Sequence, residues 1–110
     1  MDNVLYTIKK LLGLPNNYDY FDSDVLVDIN MVLPVLKQLG VQLDSDLVSD
    51  ESKWEELSSS IDVLNIIKPY IFLRVRMVFD PPSNSALFDA IQKRIDELEW
   101  RINLLGEGDD

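Results

Sequence analysis

The chain contains no cysteine and no histidine. Without cysteine there are no disulfides, no thiolate catalysis and no Cys-based zinc site. Without histidine the commonest metal ligand and the commonest general base near neutral pH are both missing. Glycine is sparse, at four residues, and none of the four builds a phosphate-cradling loop. No run approaches roughly 18 uncharged apolar residues, so no membrane-spanning helix is expected. The N-terminus, Met1-Asp2-Asn3-Val4, lacks a basic region ahead of an apolar run, so no signal peptide is expected either. Positive charge is also scarce. Ten basic residues face twenty acidic ones, for a net charge of -10. Such a surface repels a phosphate backbone, which disfavours direct DNA binding. Its plainest use is solubility.

What remains reads as one helical domain over residues 1–110. The chain is of common domain length, and an apolar fraction of 46% is enough for a modest core. Val4, Leu5, Ile8, Leu11 and Leu12 recur at helical spacing. Asp2 or Asn3 can cap this first helix, Lys9 and Lys10 suit its C-terminal dipole, and Gly13 and Pro15 end it. A second helix opens near Asp22 or Ser23 and buries Val25, Ile29, Val32, Leu33, Leu36 and Leu39. Pro34 lies inside it and predicts a kink near Asn30, and Gly40 closes it. Val41 to Glu51 is an acidic loop, with room for an extended edge at Val41-Gln42-Leu43. Ser52 to Leu57 makes a short helical turn carrying Trp54.

The C-terminal half carries the strongest pattern. Ile61, Leu64, Ile67 or Lys68, Ile71, Val75 and Val78 continue at spacings of three or four around Pro69, which either starts a new segment or bends one helix. The patch Ile71–Phe79 is rich in β-branched and aromatic residues, so a strand is the rival reading there. Asp80-Pro81-Pro82 halts the chain, and Ser83 or Asn84 caps the last helix. Leu87, Ile91, Ile95, Leu98, Ile102 and Leu105 then form the clearest stripe in the sequence, with Gly106 as its expected end and Glu107–Asp110 as a solvated tail. The fold class expected is all-α, with four to five helices built around a long C-terminal helical hairpin.

No constellation for catalysis, metal or cofactor emerges. The acids of the last helix alternate with Lys93, Arg94 and Arg101, and Glu97 to Arg101 or Lys93 to Glu97 reads as exposed ion pairing. The acidic run Asp44–Glu51 lacks the glycine and the terminal glutamate of a calcium loop. No serine has a histidine partner. Interaction is the better theme. Trp54 and Trp100 are each core anchors or interface hot spots. Tyr18, Tyr20 and Phe21 form a local staple or a contact rim. Arg74 and Arg76 sit about 200° apart on a helix, so one of them points inward or along an interface, where a partner subunit's carboxylate would suit it.

The order of these pieces is informative. A short helix ends Leu12-Gly13-Leu14-Pro15, and a second ends Gln38-Leu39-Gly40-Val41. A Trp-bearing acidic loop leads to Lys68-Pro69-Tyr70-Ile71-Phe72-Leu73-Arg74-Val75-Arg76. Then come Phe79-Asp80-Pro81-Pro82 and Ile95-Asp96-Glu97-Leu98-Glu99-Trp100-Arg101. Over nearly its whole length the chain resembles the head–tail connector (adaptor, or head-completion) proteins of tailed bacteriophages. Phe-Asp-Pro-Pro and Asp-Glu-Leu-Glu-Trp-Arg are the most specific pieces. Pro69 departs from the pattern, where a residue that continues the helix is expected.

The resemblance implies a non-enzymatic structural subunit of the virion neck, assembled in the cytoplasm of a bacterial host. It implies a ring of about twelve copies joining the portal protein to a tail-side head-completion protein, with heterologous contacts between copies. DNA would pass through the ring without specific binding. Neither cofactor nor membrane is implied. The expected contact residues are Trp54, Arg74, Arg76, Arg94, Glu97, Trp100 and Arg101. The alternative reading is a small acidic helical protein-binding module, a regulator of phage or bacterial origin. An acidic DNA mimic is disfavoured, because the acids are scattered through loops and caps.

Overall fold

The computed structural model describes residues 2–108. Among them the elements are α1 (Val4–Leu11), α2 (Asp22–Gln38), a 3₁₀ turn (Trp54–Glu56), α3 (Ile61–Phe79) and α4 (Ser85–Gly108), with no strand. The fold is all-α. The patch Ile71–Phe79 is helical, and Pro69 lies within a single helix and does not divide two. The extended edge allowed for Val41-Gln42-Leu43 does not form. The only strand-like pairing among the described residues is an isolated antiparallel bridge between Asn3 and Lys53.

Local chemistry accounts for most of the helix ends. Asn3 accepts from the Tyr6 N–H at 3.1 Å, Ser60 from Val63 at 3.3 Å and Asn84 from Leu87 at 3.0 Å. Each satisfies a backbone donor that the first turn leaves open. The stop signals of α1 and α2 are the same motif. Gly13 and Gly40 have φ of 83° and 102°, where a Cβ would be strained. In α1 the N–H groups of Gly13 and Leu14 reach back to the carbonyls of Lys10 and Lys9. In α2 those of Gly40 and Val41 reach the carbonyls of Lys37 and Leu36. An apolar residue follows each glycine and anchors the reversal. Gly106 has no apolar successor, since Glu107 follows it. This is a physical reason why α4 does not stop there but runs on to Gly108. Residues 109 and 110 of the expected tail lie outside the described residues.

At α2 the expected caps are absent. Phe21 is the N-cap residue, with no side-chain hydrogen bond, and Asp22 is already helical. The Asp22 carboxylate is instead 2.8 Å from the Lys9 ammonium. Lys9, expected to suit the C-terminal dipole of α1, is 0% exposed. Its ammonium also donates to the Asn16 carbonyl at 3.2 Å and lies 5.7 Å from the Tyr6 ring centroid. Pro34 leaves α2 continuous from Asp22 to Gln38. The Asn30 amide binds the loop from both sides, accepting from Val48 N–H at 2.7 Å and donating to the Val48 carbonyl at 2.9 Å.

α3 is the central element, packed on α2 along one side and on α4 along the other, while α1 packs on α2. Leu64, Ile67, Tyr70, Ile71 and Val75 of α3 are buried with Val25, Ile29, Leu33 and Leu36 of α2 and Ile91, Ile95, Leu98 and Ile102 of α4. Each such side chain contributes roughly 1.5–3 kcal/mol from apolar burial. Phe21 meets Phe79 edge to face at 5.3 Å, which seats the α1–α2 loop on the end of α3. The protomer measures 42 × 35 × 19 Å and is therefore flattened along its short dimension.

Candidate interaction surfaces

The seven expected contact residues divide by position. Trp54 is enclosed in the core at 0% exposure, its indole N–H donating to the Thr7 hydroxyl at 3.0 Å. The Lys68 ammonium lies 5.3 Å from its ring. Of the two roles open to Trp54 in the sequence, the protomer gives it the core role. Arg74 is half-exposed and turned toward α4. Its guanidinium is 3.5 Å from Glu99 Oε2 and 5.9 Å from the Tyr70 ring. The carboxylate expected from a partner subunit is thus supplied, within the protomer, by Glu99. Tyr70 donates its hydroxyl to the same oxygen at 2.7 Å. Burial, and after it the hydrogen bond to Glu99, pushes the Tyr70 hydroxyl well above its usual range, so it stays protonated and keeps donating. Arg76 is half-buried on the other side of α3.

The remaining four residues lie together on α4. Glu97 is held by Arg101 at 2.9 Å, the expected i,i+4 pair, and by Arg94 at 3.4 Å in place of Lys93. Trp100 stands beside them at 64% exposure. At 100° per residue it lies about 170° from the mean direction of Ile91, Ile95, Leu98 and Ile102, on the opposite face from the core. Leu104, one turn on, is exposed as well. A large apolar ring with no cover in the protomer, rimmed by arginines, has the composition of an interface hot spot.

A second surface escaped the sequence reading. α2 carries Val27 (60% exposed), Met31 (62%) and the exposed Pro34. Their spacings of four and three set them roughly 180° from the buried stripe of α2. The signal was present as a second apolar stripe out of phase with the first, and assigning one stripe per helix hid it. Asp24 and Asp28 flank this stripe. Partial burial, and after it the charge of Asp24, raises the Asp28 carboxyl above its usual range. Among the described residues no ion pair reaches either acid. An open groove of about 440 Å³ beside α1, lined in part by Tyr6, Thr7, Lys10 and Leu11, brings no set of chemistry-bearing groups together. No group of three or more Asp or Glu among the described residues could hold a metal ion. No described helix is long and apolar enough to cross a membrane.

The protein is an all-α domain with two exposed apolar flanks, on α2 and α4. The model of the phage connector protein family matches residues 4–109, nearly the entire chain. The chain belongs to that family, and its role is that of a structural connector of the phage particle; the family is not an enzyme family. No curated protein and no solved structure matches it.

Proposed function

We propose that this chain is the subunit of an adaptor ring, seated beneath the portal at the head–tail junction, that extends the DNA channel toward the tail. Family membership supports a connector role. The observation that carries the ring is the pair of uncovered apolar flanks on α2 and α4, the two helices that pack on α3. A single flank would serve a two-fold dimer or a one-to-one regulator complex. Two different flanks are what a heterologous, closing contact needs. The ring would hold about twelve copies, a number carried by the family resemblance and not by the geometry of the protomer. Its vertical contacts are with the portal protein and the tail-side head-completion protein. The 41–51 segment, which exposes Leu47, is a candidate for one of them.

Electron microscopy of the purified cognate portal, with and without this protein, tests the reading. The expected result is an added ring of density on the portal's tail-facing side. Binding as a single copy to another protein, with no added ring at saturating concentration, would favour the regulator reading instead.

A further inference from the structure

We infer that adjacent copies join edge to edge, the α4 flank of one (Trp100, Leu104, Arg94, Arg101) resting on the α2 flank of the next (Val27, Met31, Pro34, Asp24, Asp28). This deepens the ring reading and rests on it, by naming which two faces meet.

Three observations argue for a second copy as the occupant of both faces. The first is position. α2 and α4 each pack on α3, and each turns its apolar flank away from its own buried stripe, so the protomer carries two different uncovered faces. Copies joined through two such faces repeat in one direction, and one rigid contact can propagate until it closes. The second is shape and polarity. The α4 edge presents a projecting indole, and the α2 edge presents Val27, Met31 and Pro34, of which Met adapts readily to an aromatic ring. The third is charge. On the side of Trp100 that carries Lys93, Arg94 and Arg101, the only carboxylate is Glu97, which leaves a cationic rim in a chain whose net charge is -10. Asp96 lies on the far side of the indole and accepts from Gln92 at 3.1 Å. The α2 edge offers Asp24 and Asp28, one turn apart, and among the described residues no ion pair reaches either. An arginine delivered by the next copy would supply that pairing, and exposed like-charged edges would not pair with themselves.

The absence of cysteine makes the test clean. Exposed positions at both ends of the α2 stripe, Ser23 and Gln38, are each changed to Cys and combined with Asn103→Cys beside Trp100. The folded variants, checked by circular dichroism, are treated with a flexible bis-maleimide in the presence of the cognate portal. The expected result is a ladder of covalent multimers from at least one double variant and none from any single variant. Adding Trp100→Glu to that double variant is expected to raise the concentration needed for the ladder by about thirtyfold. Dimers from a single variant with no higher rungs would mean a two-fold contact and overturn the pairing. Rings visible on the portal without any ladder would overturn the pairing and leave the ring standing. Neither rings nor ladder would overturn both.

Discussion

At the scale of single residues, the buried Lys9–Asp22 pair shows how a charge can be structural without adding stability. The ammonium is fully enclosed, and its counter-charge is a partly exposed carboxylate at 2.8 Å. That contact is an ion pair and not an aligned hydrogen bond, because Asp22 Oδ1 has no hydrogen-bond partner. Removing a charge from water costs several kcal/mol, and an imperfectly bonded pair recovers only part of it. Asp22→Ala strands the ammonium in the core and is expected to lower stability by about 3 kcal/mol. Lys9→Met alone leaves the buried Asp22 Oδ1 without its counter-charge and is expected to cost stability too, whereas the double variant removes both charges and should recover most of the Asp22→Ala loss. Urea denaturation of the three variants checks this, with an unchanged slope confirming that only stability has moved. This pair was not legible in the sequence. Lys9 stands where a lysine suits a helix C-terminus, and Asp22 stands where an acid suits a helix start. Only the packing of α1 on α2 reveals that the two are one feature. Trp54 was ambiguous for the same reason, since a tryptophan in a short polar turn looks the same whether the turn folds inward or outward.

At the scale of elements, what could be read was whatever repeats at the helical period. Ile91, Ile95, Leu98 and Ile102 of the last stripe, one cap from each of the pairs Asp2/Asn3 and Ser83/Asn84, and the glycine stops at 13 and 40 are local chemistry and appear in the structure, whereas Leu87 and Leu105 at the ends of that stripe are exposed. The two interior prolines were harder, because local rules penalise them and tertiary packing overrides the penalty. Pro69 is the ninth of the 19 residues of α3. It leaves the Asn65 carbonyl without its helical donor and crowds it with the pyrrolidine ring. Asn65 is exposed, so water can take the free carbonyl. The buried residues on either side, Ile67 and Tyr70 among them, hold the helix together across the gap. An interior proline costs a helix about 3 kcal/mol relative to alanine, of which native packing and hydration recover a part. Pro69→Ala is therefore expected to raise unfolding stability by about 1–3 kcal/mol. Thermal and urea denaturation together would show it. A loss of stability would mean that a bend at Pro69 is needed to fit α3 between its two neighbours.

At the scale of the whole molecule the dominant quantity is charge. Duplex DNA carries one negative charge per about 1.7 Å of axis, and a protein that grips it does so by displacing counterions with Lys and Arg. This chain has half as many basic residues as acidic ones, and Arg74 is paired with Glu99 within the protomer. In the proposed ring, repetition of the subunit would multiply the excess of acid. Salt then limits how far that excess acts. At physiological ionic strength the screening length is about 8 Å, so a negative wall repels a duplex only when the two nearly touch. In the proposed ring such a wall would line the conduit without blocking it, because the repulsion would keep the strand from sticking and would vanish toward the channel axis. The expectation for the isolated protein follows from the same numbers. Even at about 20 mM salt, where electrostatic binding is strongest, it should not retard duplex DNA on a gel. Retardation that weakens steeply as salt rises would reveal a basic track hidden by the net charge, and would turn the proposed conduit into a DNA-gripping element.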